Sequence, residues 1–320
     1  MKNILFLLIS TFISPYSLAD YRITFAKQIN VPEEKATGSA FLYGDNTGKV
    51  FSVDETGSVQ WEKQISGTSI TGIAANSEKY YIVSNSIVYI IDKNGENIKS
   101  IPLSESRSID VDENGLLYIG GKYGRVVNEE TEETIQVISS SSIYGGIDYN
   151  NGYWYYANGR TRTYKSSLND GVILSYNSSV GYENYDVAVN DNGYKAYTVT
   201  GSINIRDEND NKICSKSIGG TDAYDVTIDN QYAYATSYGS GYSSRGAFKI
   251  KLSDCTLVWK LDNGKSGYDL KAANSIEADS FGNVYVGLDG YIYKINNGEN
   301  LDIEWQIPIN GAATAIRALN

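Results

Sequence analysis

Residues 275–309 read S-I-E-A-D-S-F-G-N-V-Y-V-G-L-D-G-Y-I-Y-K-I-N-N-G-E-N-L-D-I-E-W-Q-I-P-I. Three turn signals, Ser-Phe-Gly, Leu-Asp-Gly and Asn-Asn-Gly, divide this stretch into four short runs rich in Val, Ile and Tyr. Gly and Asn accept the backbone of tight turns, and β-branched and aromatic residues suit a pleated, half-buried surface. The stretch spells a four-stranded antiparallel meander. Runs such as V-Y-V and Y-I-Y-K-I are apolar on both faces, so one such sheet has to stack against copies of itself.

The copies are present. First strands recur as I-T-G-I-A-A from Ile70, S-I-D-V-D from Ser108, Y-G-G-I-D-Y from Tyr144, Y-D-V-A-V from Tyr185 and Y-D-V-T-I from Tyr224. A seventh, T-A-I-R-A-L from Thr314, ends the chain, and residues 40–65 supply second, third and fourth strands with no first strand before them. The two orphans complete one sheet and close a ring. Spacings of about 36 to 51 residues match propeller blades. No long stretch repeats apolar residues at helical spacing. The sequence predicts an all-β, seven-bladed β-propeller over residues 39–320. Residues 21–29 alternate as an edge strand, expected beside the closure, and residues 30–38 read as a loop.

The pattern G-N-V-Y-V-G-L-D-G-Y-I-Y-K-I-N-N-G-E followed by W-Q-I, and G-K-V-F-S-V-D-E-T-G-S-V-Q-W in the first unit, resembles the repeat of quinoprotein-type (PQQ-like) and surface-layer-like β-propellers. The resemblance covers residues 40–320 at the level of fold and implies that Trp61, Trp259 and Trp305 dock between blades as packing residues, with Cys214 at the corresponding place. The catalytic quinone-dependent branches are expected to use a His base or a vicinal disulfide. This chain has no His, and its two Cys are far apart in sequence.

Composition narrows the function. Residues 1–19 carry a Lys, an apolar run and small residues before Ala19, the form of a secretory signal peptide, and the apolar run is about half the ~20 residues a membrane span needs. A periplasmic or secreted protein without membrane insertion is expected. A net charge of −11 without a basic block argues against nucleic acid. The absence of His excludes Ser-His-Asp and Cys-His sites. In an oxidising compartment the two Cys suggest one disulfide. In the meander, Cys214 opens a fourth strand and Cys255 sits in the three–four turn of the next blade, on the same face, so a cross-blade bond is expected.

Candidate ligand-binding residues gather on the opposite face, where the chain crosses from blade to blade. An insertion at 237–246, S-Y-G-S-G-Y-S-S-R-G, presents Tyr238, Tyr242 and Arg245 on a Gly/Ser loop. Crossovers bring Tyr182 and the pairs Tyr185-Asp186, Tyr224-Asp225 and Tyr268-Asp269 to that face. Tyr on adaptable loops gives large contact area at low entropic cost, which suits a protein or glycan partner. With 28 Tyr in the chain, most must fill wedges between blades. Asp186 and Asp225 are expected to line the central channel with Arg107, Ser108 and Ser275.

Asp110, Asp112 and Asn114 have the spacing that opens a calcium loop, but position twelve is Gly121 rather than Glu, and a hairpin turn is the preferred reading. The sequence therefore points to an exported, monomeric, non-catalytic binding propeller with no cofactor. The alternative is a channel-centred, metal-assisted lactonase, lyase or glycan hydrolase that uses Asp and Glu around a divalent cation.

Overall fold

A computed structural model describes residues 40–139, 145–157, 162–168, 173–177, 184–219, 222–238, 246–262, 275–288 and 290–319. The expected signal peptide and the strand at 21–29 lie outside them.

Seven four-stranded antiparallel sheets make up the molecule. Blade one holds β1 (Phe41–Asp45), β2 (Lys49–Val53) and β3 (Val59–Gln64). Blade two runs β4 (Ile70–Ala75), β5 (Lys79–Ser84), β6 (Ile87–Asp92), β7 (Asn97–Pro102). Blade three runs β8 (Ser106–Val111), β9 (Leu116–Gly121), β10 (Tyr123–Asn128), β11 (Thr134–Ser139). Blade four runs β12 (Ile147–Asn150), β13 (Tyr153–Ala157), β14 (Arg162–Ser167), β15 (Ile173–Asn177). Blade five runs β16 (Asn184–Val189), β17 (Lys195–Val199), β18 (Ser202–Arg206), β19 (Lys212–Ser217). Blade six runs β20 (Asp222–Ile228), β21 (Tyr232–Tyr238), β22 (Gly246–Lys251), β23 (Leu257–Asp262). Blade seven runs β24 (Ser275–Ala278), β25 (Val284–Leu288), β26 (Tyr291–Ile295), β27 (Ile303–Pro308). The last strand, β28 (Ala313–Ala318), joins blade one.

Ring closure follows the expected route. β28 pairs antiparallel with β1, matching Phe41 with Ala318, Leu42 with Arg317 and Tyr43 with Ile316. The first and last strands of the described residues are thus held in one sheet, which leaves the ring no open edge at the join.

Burial falls from the second strand to the fourth in blades one and seven. β1, β17 and β25 are buried at every position, whereas the outermost β3 and β27 alternate with solvent. Second strands carry the tyrosines that fill the wedges. Tyr81, Tyr118, Tyr156, Tyr197, Tyr234 and Tyr285 are fully buried. A buried hydroxyl needs a partner, and Tyr81 donates to Glu129 Oε2 (2.8 Å) while Tyr234 donates to Asp229 Oδ2 (2.6 Å).

The aromatic docking implied by the repeat is present. Trp61 of β3 lies over Gly95 in the three–four turn of blade two, and Trp305 of β27 lies over Gly57 in that of blade one. Both glycines have φ of +85°, where a side chain would be strained and would also meet the indole. Trp305 also donates its indole N–H to Glu55 O (3.1 Å).

Cys214 of β19 takes the same strand position, opposite Ile205 as Trp61 is opposite Ser52. It is bonded to Cys255, Cα to Cα 5.9 Å. Cys255 has φ of +57° and closes the β22–β23 turn as Gly57 and Gly95 close theirs. The disulfide joins blades five and six at the point where indole on glycine joins others.

Turns follow one chemistry. Asp54, Asp92, Asp112 and Asp279 each accept two backbone N–H bonds from two and four residues ahead. Asp112 is therefore a turn residue, and Asp110 is spent elsewhere, on the amide of Tyr149 in the next blade. The calcium spacing is a hairpin turn.

Candidate functional site: the axial channel and its crossover mouth

The first strands β28, β4, β8, β12, β16, β20 and β24 surround a cavity of about 980 Å³ on the ring axis. Each is the inner edge of its sheet, so part of its backbone has no strand to pair with, and buried N–H groups need acceptors. Carboxylates provide them by a repeated rule: the acid of one blade accepts from the next residue level of the following blade. Tyr149 N donates to Asp110 (2.9 Å) and Val189 N to Asp148 (2.5 Å). Val226 N donates to Asp186 (3.1 Å) and Ile276 N to Asp225 (2.9 Å).

The charged residues fall into two tiers. Nearer the crossover face stand Asp186 and Asp225. One level below stand Asp110, Asp148, Glu277 and Arg317. Arg317 reaches Asp110 of blade three (3.6 Å) and Glu277 of blade seven (3.7 Å), so the closing strand is tied to both sides of the channel. Asp110 and Glu277 keep side-chain exposures of 8% and 22%, and Arg317 31%. What exposure they have is to channel water enclosed by protein, which solvates charge poorly.

Electrostatics follow from that enclosure. Burial raises the Asp148 carboxyl well above the usual range, and the neighbouring Asp110 adds to it. Burial and the facing Asp225 do the same to Asp186, and burial raises Asp225. Glu277 is pushed up to about 7 by burial, against the pull of Arg317. For Arg317 burial works against the charge, but Asp110, Glu277 and Asp148 outweigh it and raise the pKa.

The mouth of the channel is shaped by irregular pairing. Register shifts interrupt the first strands of five blades where they leave the crossover face: beside Thr314, Thr71, Arg107, Tyr185 and the pair Tyr224-Asp225. A β-bulge re-aims its unpaired residue, and bulges concentrate near binding sites. Thr71, Arg107, Tyr185 and Thr314 all line the cavity.

Of the residues singled out from sequence, Tyr185, Asp186 and Asp225 are brought together at the channel, with Arg107 and Ser108. Ser275 is 2% exposed and lies against the Gly287 position. It is not among the residues that line the cavity, whereas Glu277, two residues further along β24, is. Tyr182, Tyr242, Arg245, Tyr268 and Asp269 lie outside the described residues, and Tyr224 and Tyr238 are described by backbone alone. The insertion is shorter than its Gly/Ser composition implies. Ser237 pairs with Gly246 and Tyr238 with Asp222, which carries β21 to Tyr238.

Asp110, Asp148, Glu277 and Arg317 were not recognised as channel residues from sequence. Their signal was a charge directly after the central Ile of the first-strand pattern, in S-I-D, G-I-D, S-I-E and A-I-R. Among the described residues no group of three or more Cys, Asp or Glu is arranged to hold a metal ion, and no helix is long and apolar enough to cross a membrane.

The fold defines the chain as a seven-bladed β-propeller. Neither a protein-family model nor a curated protein matches it.

Proposed function

We propose that this chain is an exported, non-catalytic propeller of the quinoprotein-like kind that binds a protein or glycan partner on its crossover face. The observation that carries the reading is the row of bulges at the crossover ends of the first strands, with Arg107 and Tyr185 at the mouth and Tyr224 and Asp225 at the equivalent bulge of blade six. Bulging an inner strand sacrifices ladder hydrogen bonds, so repeating it at one level points to a use for the released side chains. Below the mouth, Asp110 and Asp148 each hold a backbone N–H of the following blade, which favours a structural duty there. Signal-directed export and the monomeric state are part of the same reading.

The test is to replace residues 239–245 by a two-residue Asn-Gly turn, keeping Tyr238 and Gly246 so that both strands stay paired. Probed on a glycan array and against extracellular protein extract, the variant should lose the capture shown by the parent chain at unchanged thermal stability. Retained capture would remove the loop from the site.

One observation favours a second reading, channel-centred catalysis: Glu277, with a pKa of about 7, could give or take a proton near neutral pH. That reading requires a divalent cation beside Asp186 or Asp225. Stoichiometric metal in the purified protein, lost in Asp225→Asn, would support it; metal-free protein would not.

A further inference from the structure

Asp186 and Asp225 stand in adjacent blades and compete for one donor. The amide of Val226 lies 3.1 Å from Asp186 Oδ2 and 3.1 Å from Asp225 Oδ1. Asp225 uses its other oxygen on Ile276 N (2.9 Å). Asp186 places its Oδ1 in the room that Gly146 of blade four leaves, where an added Cβ would fall 1.8 Å from it. Two carboxyl groups pinned this closely in a poorly solvated channel repel each other unless a proton lies between them.

Among the described residues the ionisable side chains lining the channel around the pair are mostly acids. From β12 the ionisable side chain is Asp148, from β24 Glu277 and from β8 Asp110 and Arg107. Arg317 of β28 is engaged one level lower with Asp110 and Glu277. The charge acting on Asp186 is that of Asp225, and burial raises both acids.

We propose that Asp186 and Asp225 form a proton-operated clasp between blades five, six and seven, closed while the pair shares a proton and loosened when that proton leaves. The folded ring then holds a proton that the unfolded chain, with ordinary carboxyls, has already released. Stability contributed by the clasp is present at mildly acidic pH and is lost as pH rises through the range in which the folded pair ionises. This runs against the usual acid sensitivity of proteins, whose paired carboxylates prefer high pH. Tyr185 and Tyr224 directly precede the two acids, so the same step loosens the crossover mouth. The clasp stands on channel geometry and does not rest on the binding reading.

The experiment is thermal unfolding of the whole chain from about pH 8.5 to about pH 5.5, in about 0.5 M NaCl to screen surface charge. Parent protein should gain on the order of 5 °C in Tm on acidification. Asp186→Asn and Asp225→Asn each supply a permanently uncharged partner, so each should raise Tm at the alkaline end and reduce the gain to about half or less. Profiles parallel to the parent, or a parent Tm that falls on acidification, would overturn the proposal. Should a variant fail to fold, infrared difference spectra of the parent decide. A protonated carboxylic C=O band at neutral pH that bleaches on alkalisation is expected, and its absence counts against the clasp.

Discussion

One position of the fourth strand holds a blade to the next in β3, β7, β11, β19 and β27. Trp61 and Trp305 cover a turn glycine, Cys214 bonds Cys255 in its place, and Lys99 of β7 meets Glu132 of the following turn at 2.8 Å. Gln136 of β11 donates to Ser166 and accepts from the indole of Trp154, both at 2.9 Å. These contacts differ in strength. A half-exposed ion pair contributes about 0–1 kcal/mol, a half-buried indole more than that. Trp305→Ala should therefore lower unfolding stability by about 2 kcal/mol in denaturant titration, and Lys99→Ala by less than about 1 kcal/mol. Replacement by Phe separates packing from hydrogen bonding. Trp305→Phe strands the carbonyl of Glu55 and should cost about 1 kcal/mol more than Trp61→Phe, whose indole N–H has no partner among the described residues. The tryptophan latches were legible because W-x-x-x-I and the turn glycine recur at fixed spacing. The lysine and glutamine latches were not, since a polar residue on an outer strand reads as solvent-facing until the neighbouring turn is placed beside it.

At the scale of elements, the disulfide and the first strands matter most. The bond closes a loop of 41 residues, and the chain-entropy estimate gives about 4 kcal/mol. Cys214→Ser with Cys255→Ser should lower stability by roughly that amount, read by denaturant unfolding, and reduction of the parent protein should reproduce the loss. Strand order, ring closure and the Cys pairing were all readable, because the meander fixes which turns share a face. Strand limits at the insertion were not: Ser237, Tyr238 and Gly246 look like loop by composition, and only pairing with Asp222 and across the hairpin makes them strand. Channel acids were half readable. Asp186 and Asp225 stood out beside Tyr, whereas Asp110, Asp148 and Glu277 sat inside runs that pass for half-buried strands. A charge there makes sense only once seven inner edges face one axis and their unpaired amides need acceptors.

For the whole molecule, closure of blade one by β28 makes the stability of the ring depend on β1 and β28 at once. Deleting residues 313–320 removes the inner strand of that blade and the guanidinium that spans blades three and seven. The truncated chain should lose its single cooperative unfolding transition, checked by calorimetry, whereas removal of residue 320 alone should not alter it. A ring held this firmly offers its ligand two distinct places, the crossover mouth with its bulged side chains and the axial channel with its tethered acids. The proposed binding falls at the mouth. Hydrogen–deuterium exchange of the protein with and without the ligand captured on the array or from the extract distinguishes them directly. Protection confined to residues 182–186, 222–226 and 237–246 is the predicted result; protection confined to the lower channel around Asp110, Asp148 and Glu277, or to the three–four turns on the opposite face, would contradict it.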